Sequence, residues 1–446
     1  MTLNPQSLGR PVAFAELATF YSYAIRIKSI THRHRRPIDP LLLCLLETTC
    51  CAGDVYLLPK LTSVQIGVSS WDTLSMAMGL SPELRHLALD LGFTKARTNA
   101  AVAAEYLDKV AHIASLQRLD LRGMPLSHER IDSALISMKS LRALSLKTGK
   151  SLTVNTLAAI AAFPCLDELE IHAGHIDADE LADLTTIHEM PLFPSLQMLH
   201  IRAQAPLVEL VLQKMPSGNL RRLIIEAEQP PMPPLAWASA FSLIPTKAAN
   251  SLRELTIEHH ADSIIERNSN EISTPPQLNS SKSINHFTVA TLYPLAKLPN
   301  LRKLVLDTTI CPDLCDADIE EVAKWWPQME HLDLGGLLWD VDCLGYTRKL
   351  RASLRCLDIL SRLCPRLETL VINLDISFEC VRDAEPRLSS HILRSLTIGS
   401  ISAPEPPRLS QYLSTVFPSL IKVDGVVAYQ EEWLVVQSML KFGVEA

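Results

Sequence analysis

Four small groups of residues in this 446-residue chain are of types that could do chemistry. Gly149-Lys150-Ser151 ends like a phosphate-binding loop, in which backbone N–H groups and a lysine cradle phosphates. Such a loop requires a second glycine five positions earlier, and Leu144 stands there. Cys311, Cys315 and the pair His259-His260 are metal-ligand types, but their spacing fits no standard ligand pattern and the histidines lie a repeat away. Glu129 and Glu189 each follow a histidine, yet neither is followed by the second histidine of a His-Glu-x-x-His helix, and no Gly-x-Ser-x-Gly elbow occurs. Thr31 to Pro37, THRHRRP, is the one dense basic run; it suits an import signal or an anion contact, and more simply a solvated loop. The expectation is a protein that is not an enzyme, with no catalytic constellation, no metal and no cofactor.

The composition narrows the remaining classes. With 42 basic against 49 acidic side chains the formal charge is −7, which disfavours sequence-independent binding to nucleic acid, because neutralising phosphates needs a basic surface. No segment approaches the 18 or so apolar residues of a membrane span, and the best candidate, Leu41 to Leu46, is stopped by Glu47. The N-terminal residues also lack the apolar stretch of a signal peptide. These features predict a soluble intracellular protein, cytoplasmic or nuclear, with no membrane partner. Its ten cysteines are then expected as reduced thiols, mostly filling core space.

The elements that position the side chains are announced by a repeat. A phrase Leu-x-x-Leu-x-Leu recurs after a short loop, most clearly as SLQRLDL, SLRALSL, CLDELEI and SLQMLHI, and again as NLRRLII, SLRELTI, NLRKLVL and RLETLVI. Five diverged copies begin at Leu61, Leu84, Met329, Leu393 and Leu420, making thirteen phrases. Most of their spacings lie near the period of about 20 to 29 residues that marks leucine-rich repeats. The last two apolar positions of each phrase are two apart, as a strand with one buried face requires. Phe-Pro and Leu-Pro steps such as Phe163-Pro164 and Phe193-Pro194 end the preceding helices.

Between phrases the apolar spacing is helical, as in HERIDSALISM after Ser127, in NTLAAIAAF after Val154 and in IEEVAKWW after Asp318. Ser127 and Asp177 are N-cap types, and Asp177 with Glu180 makes a capping-box variant. The predicted fold class is α/β: a leucine-rich-repeat solenoid (horseshoe) with a parallel concave β-sheet, convex helices, and helical N- and C-terminal caps. The predicted organisation is an N-terminal helical cap over 1–57, about thirteen repeats over 58–425, and a C-terminal capping helix over 426–446, EEWLVVQSMLKF. Residues 261–285, polar and rich in Ser, Asn and Pro, read as a disordered insertion. The proline clusters Gln229 to Pro234 and Ala403 to Pro407 read as rigid exposed loops.

The N-terminal wording carries a resemblance. Arg10-Pro11, the aromatic stretch FAELATFYSYAIRIKSI and the phrase Tyr23-Ala24-Ile25-Arg26-Ile27-Lys28 resemble the post-F-box region of fungal, basidiomycete-type F-box proteins with leucine-rich repeats. In that family the F-box docks the adaptor subunit of SCF-type cullin-RING ubiquitin ligases and the repeats hold the substrate. The resemblance thus implies a ubiquitin-ligase substrate receptor. Too few residues precede Arg10 to hold an F-box, so the F-box itself is expected to be missing and the adaptor to bind only if one exists upstream.

The residues flanking and between the strand leucines should point from the concave face. They supply the candidate partner-binding set: Arg118, Asp120 and Arg122; Lys147; Glu168, Glu170 and His172; His200 and Arg202; Arg222 and Glu226; Glu254 and Glu258. Basic early repeats give way to an acid-leaning middle, which suits a target protein with complementary charge blocks. Two other functions compete with a receptor: a scaffold that sequesters its partner with no ligase link, and a sensor that holds a small molecule in the concave pocket.

Overall fold

The computed structural model describes residues 18–32, 56–67, 79–93, 97–123, 129–186, 191–227, 234–259, 287–308, 312–335, 350–377, 390–425 and 429–442. Its contacts divide the chain into two compact units, Met1–Leu196 and Gln197–Ala446. Each is a leucine-rich-repeat solenoid in which strand, loop and helix alternate.

In the first unit the strands are β1 (Ser29–His32), β2 (Ser63–Ile66), β3 (His86–Asp90), β4 (Arg118–Arg122), β5 (Ala143–Lys147) and β6 (Glu168–His172). They pair in parallel in chain order. The helices are α1 (Ala18–Ala24), α2 (Arg97–Ile113), α3 (Glu129–Ser137), α4 (Val154–Ala161) and α5 (Ala178–Thr186). In the second unit the strands are β7 (Met198–Ala203), β8 (Arg222–Ala227), β9 (Glu254–His259), β10 (Lys303–Thr308), β11 (His331–Asp333), β12 (Thr369–Asn373), β13 (Ser395–Gly399) and β14 (Lys422–Gly425). These too are parallel and in chain order. Its helices are α6 (Ala205–Lys214), α7 (Ala238–Ala248), α8 (Val289–Leu292), α9 (Asp316–Trp325), α10 (Arg355–Leu363), α11 (Pro406–Val416) and α12 (Gln430–Phe442).

All thirteen predicted phrases form strands, β2 to β14, and their leucines are the core. Leu119, Leu144 and Leu169 stack in register in the first unit, and Leu199, Leu223, Leu255, Leu304, Leu332 and Leu370 in the second; all are at most 2% exposed. The first leucine of each clear phrase, such as Leu116, Leu141 and Leu252, is equally buried in the turn before the strand. Burying three such side chains per repeat, at roughly 1.5 to 3 kcal/mol each, is what stacks one repeat on the next.

The backbone of that turn adds a recurring lock. One carbonyl of each repeat accepts two consecutive N–H groups of the next: Gln117 and Arg118 on the Arg85 carbonyl, Arg142 and Ala143 on Gln117, Arg302 and Lys303 on Arg253, Ile421 and Lys422 on Arg394. Within each unit the strands therefore start in the same phase, and the register of the leucines follows from it.

Two expectations change. The segment expected as a purely helical cap holds α1 and then β1, a fourteenth strand. The Lys28 carbonyl takes the N–H groups of Thr62 and Ser63, so the Tyr23–Lys28 phrase performs the same lock as a leucine phrase. The Ala403–Pro407 cluster is not all loop: Pro406 and Pro407 open α11, where a fixed φ and a missing N–H cost nothing. Gly149-Lys150-Ser151 is a 3-10 turn whose glycine takes φ +56° and whose Ser151 hydroxyl donates to the Thr148 carbonyl at 2.7 Å. The 261–285 segment, most of Gln229 to Pro234, Cys311 and most of Thr31 to Pro37 lie outside the described residues.

Several helix ends are satisfied by side chains. Thr153 caps α4 by accepting from the Thr156 N–H at 3.1 Å, and the Cys315 N–H donates to Asp318 at the start of α9. Lys247 of α7 donates to the last carbonyls of α6, Gln213 and Met215, both at 2.8 Å. Asp177 caps α5 through the Asp179 N–H at 2.8 Å, two residues on. At the last strand α12 packs on β14. Its Gln437 amide accepts from the Val423 N–H at 2.6 Å and donates to the Ile421 carbonyl at 3.0 Å, closing an edge that would otherwise offer free backbone groups.

Candidate functional site: the helix-free face of the sheet

Because side chains alternate along a strand, the leucines that face the helices leave the intervening positions on the opposite face, helix-free among the described residues. The parallel register aligns these positions into rows that cross the strands. The thirteen candidate residues occupy such rows, seven in the first unit and six in the second, and the two sets belong to separate units.

In the first unit the charges hold one another. Arg118 on β4 lies 3.4 Å from Asp120 on the same strand and reaches across β5 to Glu168 on β6, 3.3 Å away. Strands lie about 4.8 Å apart, so this bridge spans nearly 10 Å. It is possible because the residue it crosses is Ala143, which is 8% exposed beneath it. One row along, Lys147 pairs with Glu170 at 2.9 Å, and the Ser145 hydroxyl donates to the other oxygen of Glu170 at 2.6 Å. Arg122 lies over the exposed ring of Phe93, 5.9 Å from its centroid, in cation–π geometry. His172 ends β6 in the same outward row. The central row of this face, Thr31, Gln65, Ala88, Asp120, Ser145 and Glu170, is polar but for one alanine.

The second unit is built differently. Arg222 on β8 forks onto Glu254 of β9, with Nε 2.7 Å from one carboxylate oxygen and Nη2 2.9 Å from the other. This two-bond geometry fixes orientation as well as charge. His200 of β7 meets Glu226 of β8 at 2.5 Å, and both side chains are mostly buried. Arg202, Glu226 and Glu258 stand in one row, and Asp307 of β10 extends it. The central row reads His200, Ile224, Thr256, Val305, Asp333, Val371, Thr397 and Asp424. Three aliphatic side chains thus stand on a face expected to be charged.

Val305, Asp307, His331, Asp333 and Val371 were not among the candidates, although aligning all thirteen phrases puts them in the same column as Asp120 and its neighbours. Burial pushes the Asp333 carboxyl above the ordinary aspartate range, and the nearby Asp307 charge adds to that. Burial holds the His331 imidazole below its usual value, helped by Lys303 on the adjoining strand.

Among the described residues no group of three or more His, Cys, Asp or Glu is placed to hold a metal ion. Cys315 sits at the N-terminus of α9 and His259 ends β9. The buried thiols of Cys356 and Cys364 are pushed up by desolvation, that of Cys364 to about 12, which leaves them protonated and unreactive. No helix of the described residues is long and apolar enough to cross a membrane.

No known protein family matches the sequence, and no curated protein matches it. One solved structure that it resembles is a chain from the crystal structure of the Rad7 and Elc1 complex in yeast. The two share 15% identity with a TM-score of 0.35, over 62% of this chain and 70% of that one. A likeness of that size says nothing about what this chain binds.

Proposed function

We propose that the chain is a protein-interaction module that engages a target polypeptide on the helix-free faces of its repeats and performs no chemistry of its own. One observation carries this reading: the parallel register aligns charged and aliphatic side chains into fixed rows on the face opposite the buried leucines. Pre-organised rows lose little conformational entropy on binding, which is the condition for specific recognition.

The finer reading is a substrate receptor of an SCF-type ubiquitin ligase, acting in the cytoplasm or nucleus. Its support is the resemblance of Arg10-Pro11 and of Tyr23–Lys28 to the fungal F-box repeat proteins. A photo-crosslinking residue placed at Gln65 or Thr256 on the helix-free faces should capture a reproducible target from fungal extract. The same residue at Lys109 or Lys324, on exposed helix positions, should not. Equal capture from both kinds of position would overturn the interaction surface. Mass spectrometry of what co-purifies tests the finer reading, which predicts the ligase adaptor in the complex; a target without adaptor would leave a stand-alone scaffold.

A further inference from the structure

The central row of the second unit alternates. Ile224, Val305 and Val371 stand on β8, β10 and β12, while Thr256, Asp333 and Thr397 stand on the strands between and beyond them. All six are half-buried. Two strand spacings separate successive aliphatic groups, about 9.6 Å, so the three span about 19 Å. On the side toward the strand C-termini runs a row that Arg202 opens and that is acidic from β8 onward, with Glu226 held by His200 and Glu258 and Asp307 beyond it.

A partner lying across these strands must present apolar groups with the same spacing. In a polyproline II segment every third residue returns to the same face, after about 9.3 Å. A β-strand returns every second residue, after about 6.7 Å, and cannot keep one face toward all three positions. An α-helix returns after two turns at about 10.8 Å, and is out of step by more than 2 Å at the third position. The polyproline II repeat stays within about 0.6 Å over the same span. The acidic row favours a segment that also carries lysine or arginine, through encounter rate and orientation.

We infer that the β8–β12 face binds an extended, basic segment of a partner protein in polyproline II conformation, laid across the strands with an aliphatic side chain at every third residue. The inference rests on the interaction role proposed above and adds the chemistry of the partner.

The probe is a fluorescent synthetic peptide with leucine at every third position and proline and lysine between, titrated into the full chain by anisotropy. Two control peptides of equal composition carry leucine at every second position, or at helical spacing. The triplet peptide should bind about tenfold or more tighter than either. Val305→Asp should weaken it about tenfold, and Val371→Thr, which keeps the branched shape, about threefold. Glu258→Lys should flatten the dependence on salt, and Arg118→Ala in the first unit should change nothing. Circular dichroism melts confirm that each variant is folded. Binding that ignores leucine spacing, or that Val305→Asp leaves intact, overturns the inference. The crosslinks from Gln65 and Thr256 are scored separately, so a captured target alongside a spacing-blind peptide would sink only the partner chemistry.

Discussion

The two units share one way of burying leucine and differ in what they do with the opposite face. Beneath the sheet, Leu119 of the first unit and Leu304 of the second are indistinguishable: both are fully buried, in register, on parallel neighbours. Above it, the first unit spends its side chains on one another. Arg118 straddles Ala143 to hold Glu168, and Lys147 and Ser145 share Glu170. In the second unit the central row carries Ile224, Val305 and Val371, with an acidic row beside it. The lesson is that the leucine phrase constrains only the inward positions. The outward positions are free to vary from repeat to repeat, and that freedom is what the proposed recognition would use.

The shared part of the comparison breaks most forcefully in the core. Leu119→Ala and Leu304→Ala each remove a fully buried side chain and should cost about 2 to 5 kcal/mol in urea unfolding. Hydrogen exchange after each change should report faster opening in the unit that carries it. Uniform loss across both units would show that they unfold as one and that the division has no energetic meaning.

Next in size is a device at the last strand of the second unit. Gly425 closes β14 against α12, and a Cβ built there would clash with the Trp433 indole ring. Gly425→Ala should therefore displace the helix, at a cost of about 1 to 3 kcal/mol for overpacking. The displacement would free the β14 edge that Gln437 closes. The expected signs are a red-shifted tryptophan emission and concentration-dependent association in light scattering. An unchanged emission spectrum would mean that the indole is not held where it stands.

Acid should sharpen the difference. His391 is 5% exposed; its Nδ1 accepts from the Leu393 N–H at 3.1 Å, so Nε2 carries the proton donated to the Cys364 carbonyl at 2.8 Å. Burial holds its value below the usual histidine range, against the pull of that carbonyl, and burial does the same to His331. A depressed histidine means that the unfolded chain takes up protons first. Stability is then full above about pH 6.5 and falls as the pH drops through that value toward the folded ones. Asp333, raised by burial, works the other way: its contribution is full below the ordinary aspartate value and is lost as the pH rises through the folded one. The urea midpoint of the second unit should therefore drop between pH 7.5 and pH 5. His391→Gln, which can still donate and accept, should lessen the drop; an unaltered slope would clear His391 of the effect.

Much of this was legible in advance, for identifiable reasons. Two inward positions per strand plus one in the turn make a phrase that repeats, so thirteen strands stood out. β1 did not, because Ser29–His32 carries no leucine and its inward pair, Ile30 and His32, is only half-buried at the end of the sheet. The candidate charges stand at outward strand positions, and their pairing depends on register and on what lies between. Nothing in Arg118 or Glu168 alone says that an alanine separates them. The aliphatic alternation was overlooked because the outward positions were read only as far as Glu258, and Val305 and Val371 lie beyond it.

The smallest effect tests whether the first unit's charge pairs matter at all. Both partners of Arg118–Glu168 are about half exposed, so water and salt screen the pair and holding two long side chains costs entropy. A double-mutant cycle with Arg118→Ala and Glu168→Ala should return a coupling of about 0.5 kcal/mol or less, vanishing in high salt. The forked Arg222–Glu254 pair has better geometry at similar exposure and should return about 1 kcal/mol. If both are near zero, the pairs serve to keep charged side chains oriented in their rows, and their value to the protein lies in specificity. A coupling well above 1 kcal/mol for Arg118–Glu168 would mean instead that the first unit's face is a structural clasp, which would remove it as a binding surface.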